Sequence, residues 1–97
     1  MNFMIISDEE IKAYILRKLA SKGKWGHSHT SFENIRKWIP QRDLGKEGHR
    51  RVNELAKQLV RDRLILTKPT NYGLEVSLNP REARRIDEII KRYYPED

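Results

Sequence analysis

The sequence contains no cysteine. That absence excludes disulfides, thiolate metal ligands and a cysteine nucleophile, and it fits a cytoplasmic protein. No apolar run reaches the roughly 18 residues that a membrane-spanning helix needs. The opening MNFMII is too short for a signal peptide, lacks a basic start and leads into an acidic cluster. Catalytic signatures are missing as well. There is no GxSxG, no phosphate-cradling P-loop or Gly-rich loop, no HExxH and no Cys pair. Carboxylates are scattered among cations, and nothing in the pattern marks an apolar pocket that would raise a carboxyl pKa. The expectation is a protein that is not an enzyme and holds no cofactor. Asn and Gln are few while charge of both signs is abundant, a composition that fits a heat-adapted source.

What remains is one small soluble domain spanning residues 1–97. Charged residues make up 35% and hydrophobic ones 37%, enough for a modest core. A domain of this size has a high surface-to-volume ratio, so a second copy or a bound partner would help its stability. Lys and Arg number 20 against 14 Asp and Glu, a net charge of +6. A basic domain of this size most often meets a polyanion, so the placement of the charge matters.

Ser7 and Glu10 have the spacing of a capping box, and Ile6 and Ile11 that of a hydrophobic staple. Asp8, Glu9 and Glu10 place negative charge at the positive end of the helix dipole. Ile11, Ile15 and Leu19 recur at helical spacing with Tyr14, Leu16 and Ala20 beside them, and Lys22-Gly23 ends the run. A first helix is predicted over about residues 8 to 22. A second, shorter helix is capped by Thr30 with Glu33 as its reciprocal residue, carries Phe32, Ile35 and Ile39 on one face with Trp38 beside them, and stops at Pro40.

The third helix, about residues 46 to 62, carries the most information. Gly48, Val52, Leu55, Ala56 and Leu59 form its buried face. Lys46, Arg50, Asn53, Lys57 and Arg61 form a continuous polar stripe with four cations, one amide and no acid. Glu47, Glu54 and Asp62 fall off the stripe, toward one flank. The period then changes to two. LILTK and LEVSL flank PTNYG, and Leu74, Val76 and Leu78 alternate with Glu75 and Ser77 as in a strand with one wet face. The pair reads as a β-hairpin. Asn79, Pro80 and Glu82 then open a fourth helix, about residues 80 to 94, with Ala83, Ile86, Ile89, Ile90 and Tyr93 on one face. That face, with Tyr93 and Tyr94, is open to two uses: packing on the first helix, or pairing with a second copy as a homodimer.

Three helices and a hairpin, with a basic third helix, match the layout of a winged helix-turn-helix domain, an α+β fold. The match covers about residues 7–78, with the C-terminal helix as an addition, and a short strand near Ser28–Thr30 is expected to pair with the hairpin. More closely, Lys24-Trp25-Gly26, His29-Thr30 and the closing Ser77-Leu78-Asn79-Pro80 resemble segments of a family of small uncharacterised archaeal winged-helix proteins. The resemblance implies the fold and DNA binding, and it brings no substrate or ligand.

In such folds the second helix of the motif enters the major groove. Arg50 is then placed to meet guanine and Asn53 adenine through paired hydrogen bonds. Lys46, Lys57 and Arg61 suit phosphates. Lys68, Asn71 and Tyr72, with Thr70, lie at the wing tip, where they would run along the backbone or reach a minor groove. His29 and Ser31, with His27 and Ser28, approach the N-terminus of the second helix, where free N–H groups can meet a phosphate. Arg81, Arg84 and Arg85 are a candidate second phosphate contact.

The histidines also raise a metal reading, with His27, His29 and His49 and with Glu33 or Asp43 nearby. The usual ligand count and spacing are missing, and no metal is expected. Two other binding roles stand beside duplex DNA. One is an RNA- or ribosome-associated role that uses Trp25, Trp38, Tyr72 and Tyr94 for stacking. The other is a protein–protein interaction module. Transcription regulation follows only by analogy of fold.

Overall fold

A computed structural model describes residues 6–40, 42, 44 and 46–96 of the chain. The start MNFMI and Asp43 therefore lie outside the described residues. Helix α1 (Asp8–Ser21) begins as its spacing predicts, with Ser7 Oγ accepting a hydrogen bond from the Glu10 N–H at 3.2 Å. It buries Ile11, Ile15, Leu16 and Leu19. Ala13 is buried too, a position the apolar stripe did not include. The helix ends in a Schellman motif: Lys24 N–H donates to Leu19 O and Gly23 N–H to Ala20 O. Gly23 takes the left-handed conformation this requires, at φ +68°.

Strand β1 (Thr30–Ser31) leads directly into helix α2 (Phe32–Trp38). Thr30, expected as the cap of this helix, is in the strand instead. Ser31 is the cap, its Oγ accepting from the Glu33 N–H at 3.2 Å. The Thr30 hydroxyl accepts from the Asn34 side chain at 2.9 Å. The reason is backbone pairing: residues 30 and 31 are held extended against the hairpin, so the chain turns helical one residue later.

Helix α3 (Gly48–Arg61) buries Gly48, Val52, Leu55, Ala56 and Leu59, the face its spacing predicts. It starts after Lys46, which sits in the preceding turn. A second Schellman motif ends it, with Leu64 N–H on Leu59 O and Arg63 N–H on Val60 O. Here the left-handed position is held by Arg63, at φ +63°.

Strands β2 (Ile65–Thr70) and β3 (Gly73–Leu78) form the hairpin, and the antiparallel sheet runs in the order β1-β3-β2. Thr30 faces Val76 and Ser31 faces Glu75, so the short strand pairs with the hairpin as expected. Pro69 falls in the edge strand, where a missing N–H is tolerated. The predicted alternation in β3 does not hold. Ser77 is 1% exposed and Leu74 is 41% exposed, so burial follows position along the strand and not its face. Near its C-terminal end β3 is enclosed: β2 pairs on one side, and on the other Leu78 N–H donates to Lys24 O and Gly26 N–H to Leu78 O. The tip half stands clear of the helices, with Leu66 to Pro69, Gly73 and Leu74 all exposed.

Asn79 caps the next segment, its side chain accepting from the Arg81 N–H at 3.1 Å. The first turn, Pro80–Glu82, is a 3-10 turn, and helix α4 (Ala83–Tyr93) follows it. Glu82 therefore does not close a capping box; it is the residue before α4 and makes no side-chain cap. Ile86 and Ile90 sink into the single core formed by α1, α2, α3 and the sheet, and Ile89 packs at its edge. Tyr94 meets Tyr14 of α1 edge to face at 6.3 Å, under the Arg17 guanidinium at 4.5 Å. Of the two uses open to this apolar face, packing on α1 is the one seen. Ala83, Arg84, Asp87, Glu88, Lys91 and Arg92 are left exposed. Among the described residues no helix is long and apolar enough to cross a membrane.

Candidate nucleic-acid interface

The face of α3 opposite its buried side is exposed at Arg50, Lys57 and Arg61, and Lys46 is exposed just before the helix. The stripe is less purely basic than the sequence spacing indicates. Arg50 donates to Glu47 at 3.1 Å, and Lys57 lies 3.8 Å from Glu54. Side chains three apart on a helix are neighbours, so acids on the flank reach the cations. Both pairs are exposed and worth at most about 1 kcal/mol. Lys46 and Arg61 have no ion-pair partner among the described residues.

Asn53 is half-buried at the margin of the stripe, and among the described residues its buried Oδ1 has no hydrogen-bond partner.

Arg51, one residue along from Arg50, does something different. Its guanidinium donates to Leu44 O at 3.0 Å, Ile6 O at 2.9 Å and Asp8 Oδ1 at 2.7 Å. It ties α3 to the segment before it and to the entry of α1. Sequence reasoning passed over this residue. The only available signal was its place on the side of α3 between the buried face and the stripe.

Lys68, Asn71 and Tyr72 lie on the hairpin, apart from the stripe, and all are exposed. Helix α3 and β2 adjoin, with Val60, Ile65 and Leu66 lining a shared groove. Asn71 and Tyr72 form the turn. Thr70 Oγ1 accepts from the Tyr72 N–H at 3.2 Å and donates to Gly73 O at 2.8 Å. Gly73 takes φ +122°, a value strained for any side chain. Arg81 and Arg85 line the other wall of the shared groove, but with Asp62 and Glu82 among them. Arg85 donates to Asp62 O at 3.3 Å and lies 3.6 Å from Glu82, so this patch is partly neutralised.

His29 and Ser31 are at the far strand of the sheet, away from β2. The Ser31 hydroxyl is engaged in capping α2, and His29 Nδ1 lies 4.0 Å from Glu75. His27 is exposed, and His49 lines a shallow cleft with Glu33, Arg36 and Lys37 of α2. Among the described residues no three His, Cys, Asp or Glu side chains come together as metal ligands. Of the four aromatics considered for stacking on RNA, Trp25, Trp38 and Tyr94 pack against the core, and only Tyr72 is fully exposed.

No family model matches the chain, and neither the curated proteins nor the solved structures contain a match to it.

Proposed function

We propose that the protein is a winged helix-turn-helix domain that binds duplex DNA, with α3 in the major groove and the β2–β3 hairpin as the wing, and that it serves in transcription regulation. One observation carries this reading. Helix α3 turns every apolar side chain of its buried face inward and leaves Arg50, Lys57 and Arg61 on a convex exposed face. A major groove admits such a helix, and cations on its outer face lie at the height of the phosphates. The short strand paired with a hairpin supports the winged arrangement, as do the Trp25-Gly26 and Leu78-Asn79-Pro80 segments, which hydrogen-bond to each other through the backbone. Three of the four candidate stacking aromatics, Trp25, Trp38 and Tyr94, are partly buried against the core, which favours DNA over RNA.

In this reading Arg50 and Asn53 read base edges, and Lys46, Lys57 and Arg61 hold phosphates. The test is selection of preferred sites from a randomised duplex library, repeated with Arg50→Ala and Asn53→Ala. Each substitution is expected to flatten preference at its own base position by about 1–3 kcal/mol. Enrichment no better than background by the wild-type protein would overturn the sequence-reading role.

A further inference from the structure

The wing carries almost no charge. In a chain with 35% charged residues, segment 64–78 holds one cation, Lys68, and one anion, Glu75. The two are cross-strand partners, so the hairpin is neutral beside a basic helix. Its tip, residues 69–74, has no charged side chain at all. Among the described residues the exposed large hydrophobics are Leu66, Tyr72 and Leu74, all three on this hairpin, and Tyr72 is wholly exposed. Pro69 faces Leu74 across the strands, beneath the turn that carries Tyr72. A surface built to lie on phosphates would carry cations there.

We infer that the wing tip contacts bases, not phosphates, and that Tyr72 stacks its ring on a nucleobase where the base stack of a duplex is interrupted. The inference rests on the nucleic-acid reading above and narrows its substrate class. In an intact duplex both faces of each interior base are already covered by neighbouring bases. An aromatic ring finds a free base face only at a bulge, a mismatch, a kinked step or a junction with single strand. Two hydrogen bonds of Thr70 hold the turn, with Gly73 supplying the positive φ it needs, so less order remains to be imposed when the ring docks. Stacking of one base on an aromatic side chain changes affinity by roughly 5- to 150-fold. The basic stripe of α3 supplies the attraction that the neutral wing lacks.

The experiment compares a fully paired duplex DNA with the same duplex carrying a central one-nucleotide 2-aminopurine bulge. Anisotropy gives affinity, and 2-aminopurine fluorescence reports stacking. The wild-type protein is expected to bind the bulged duplex about tenfold more tightly and to quench its fluorescence. Tyr72→Ala should abolish both effects, so that it binds the bulged and the paired duplex equally. Tyr72→Phe should keep both, because the ring and not the hydroxyl makes the contact. The Tyr72 side chain is fully exposed and its N–H bond to Thr70 is made by the backbone, so both variants should melt with the wild type.

Equal binding of the two duplexes by the wild type overturns the inference while leaving the DNA reading intact. So does a Tyr72→Phe protein as poor as Tyr72→Ala, which marks a hydroxyl contact to phosphate. A dimer seen by light scattering that Tyr72→Ala dissociates, without bulge selectivity, assigns the wing to a second copy and also overturns it. Salt-dependent binding to neither duplex removes the DNA reading and the inference together.

Discussion

Arg50 and Arg51 are adjacent and identical in chemistry, yet the structure gives them separate tasks. Replacing each by Ala should therefore separate stability from binding. Arg51 donates to two backbone carbonyls and one carboxylate. Each carbonyl bond to a charged donor contributes about 1 kcal/mol, taken low because the site is only part-buried. The bond to Asp8 joins an exposed carboxylate and contributes less than about 1 kcal/mol. Arg51→Ala should thus cost about 2–3 kcal/mol, which lowers Tm by roughly 10–20 °C in a domain of this size. Arg50 is exposed and among the described residues bonds only Glu47, so Arg50→Ala should move stability by less than about 0.5 kcal/mol. Thermal and guanidinium unfolding followed by circular dichroism measures both. In 1 M salt most of the Arg51 effect should survive, because bonds to carbonyls are screened less than an exposed ion pair. A stability loss for Arg50→Ala equal to that for Arg51→Ala would refute the division of roles.

Other substitutions probe the frame that holds the site. Arg63 occupies the left-handed position that Gly23 fills in the matching motif after α1, so Arg63→Gly should raise stability by about 0.5–1 kcal/mol, read as a Tm several degrees higher. A lower Tm would mean that the side chain supplies packing the backbone geometry does not reveal. Among the described residues the buried Ser77 hydroxyl has no partner, and Ser77→Ala should be neutral or stabilising by up to about 1 kcal/mol, where a clear loss in a denaturant titration would show an unseen bond. Asn79 accepts from the Arg81 N–H and donates to Arg63 O at 2.8 Å, joining the ends of α3 and β3. Asn79→Ala should cost about 1–2 kcal/mol and speed amide exchange at the start of α4.

The helices were legible because their information is local. Ser7, Gly23 and the apolar spacings of α1 and α3 each act within one or two turns, and the buried face of α3 matches its periodicity residue for residue. Errors arose where distant chain decides the outcome. Thr30 has a good capping side chain, but pairing with Val76 holds it extended and passes the cap to Ser31. Ser77 and Leu74 defied alternation because the depth of β3 depends on which neighbours flank it, and period-two patterning assumes one uniform wet face. At the candidate site the basic stripe was readable. Glu47 and Glu54 lie on the flank as read, but their pairing with Arg50 and Lys57 was missed, because a helical wheel orders Cβ directions and ignores the reach of long side chains. Arg51 could not be told from Arg50 without knowing that the residue 6–8 and residue 44 backbone comes within reach of its fork.

The most direct test of the central claim is the salt dependence of binding to duplex DNA. If Lys46, Lys57 and Arg61 each displace a counterion from a phosphate, the slope of log K against log salt should be about −2.7, at roughly −0.9 per contact. Lys57→Ala should reduce that slope by about 1 and weaken binding to all sequences alike. A slope near zero, or a Lys57→Ala slope equal to that of the wild type, would contradict the account.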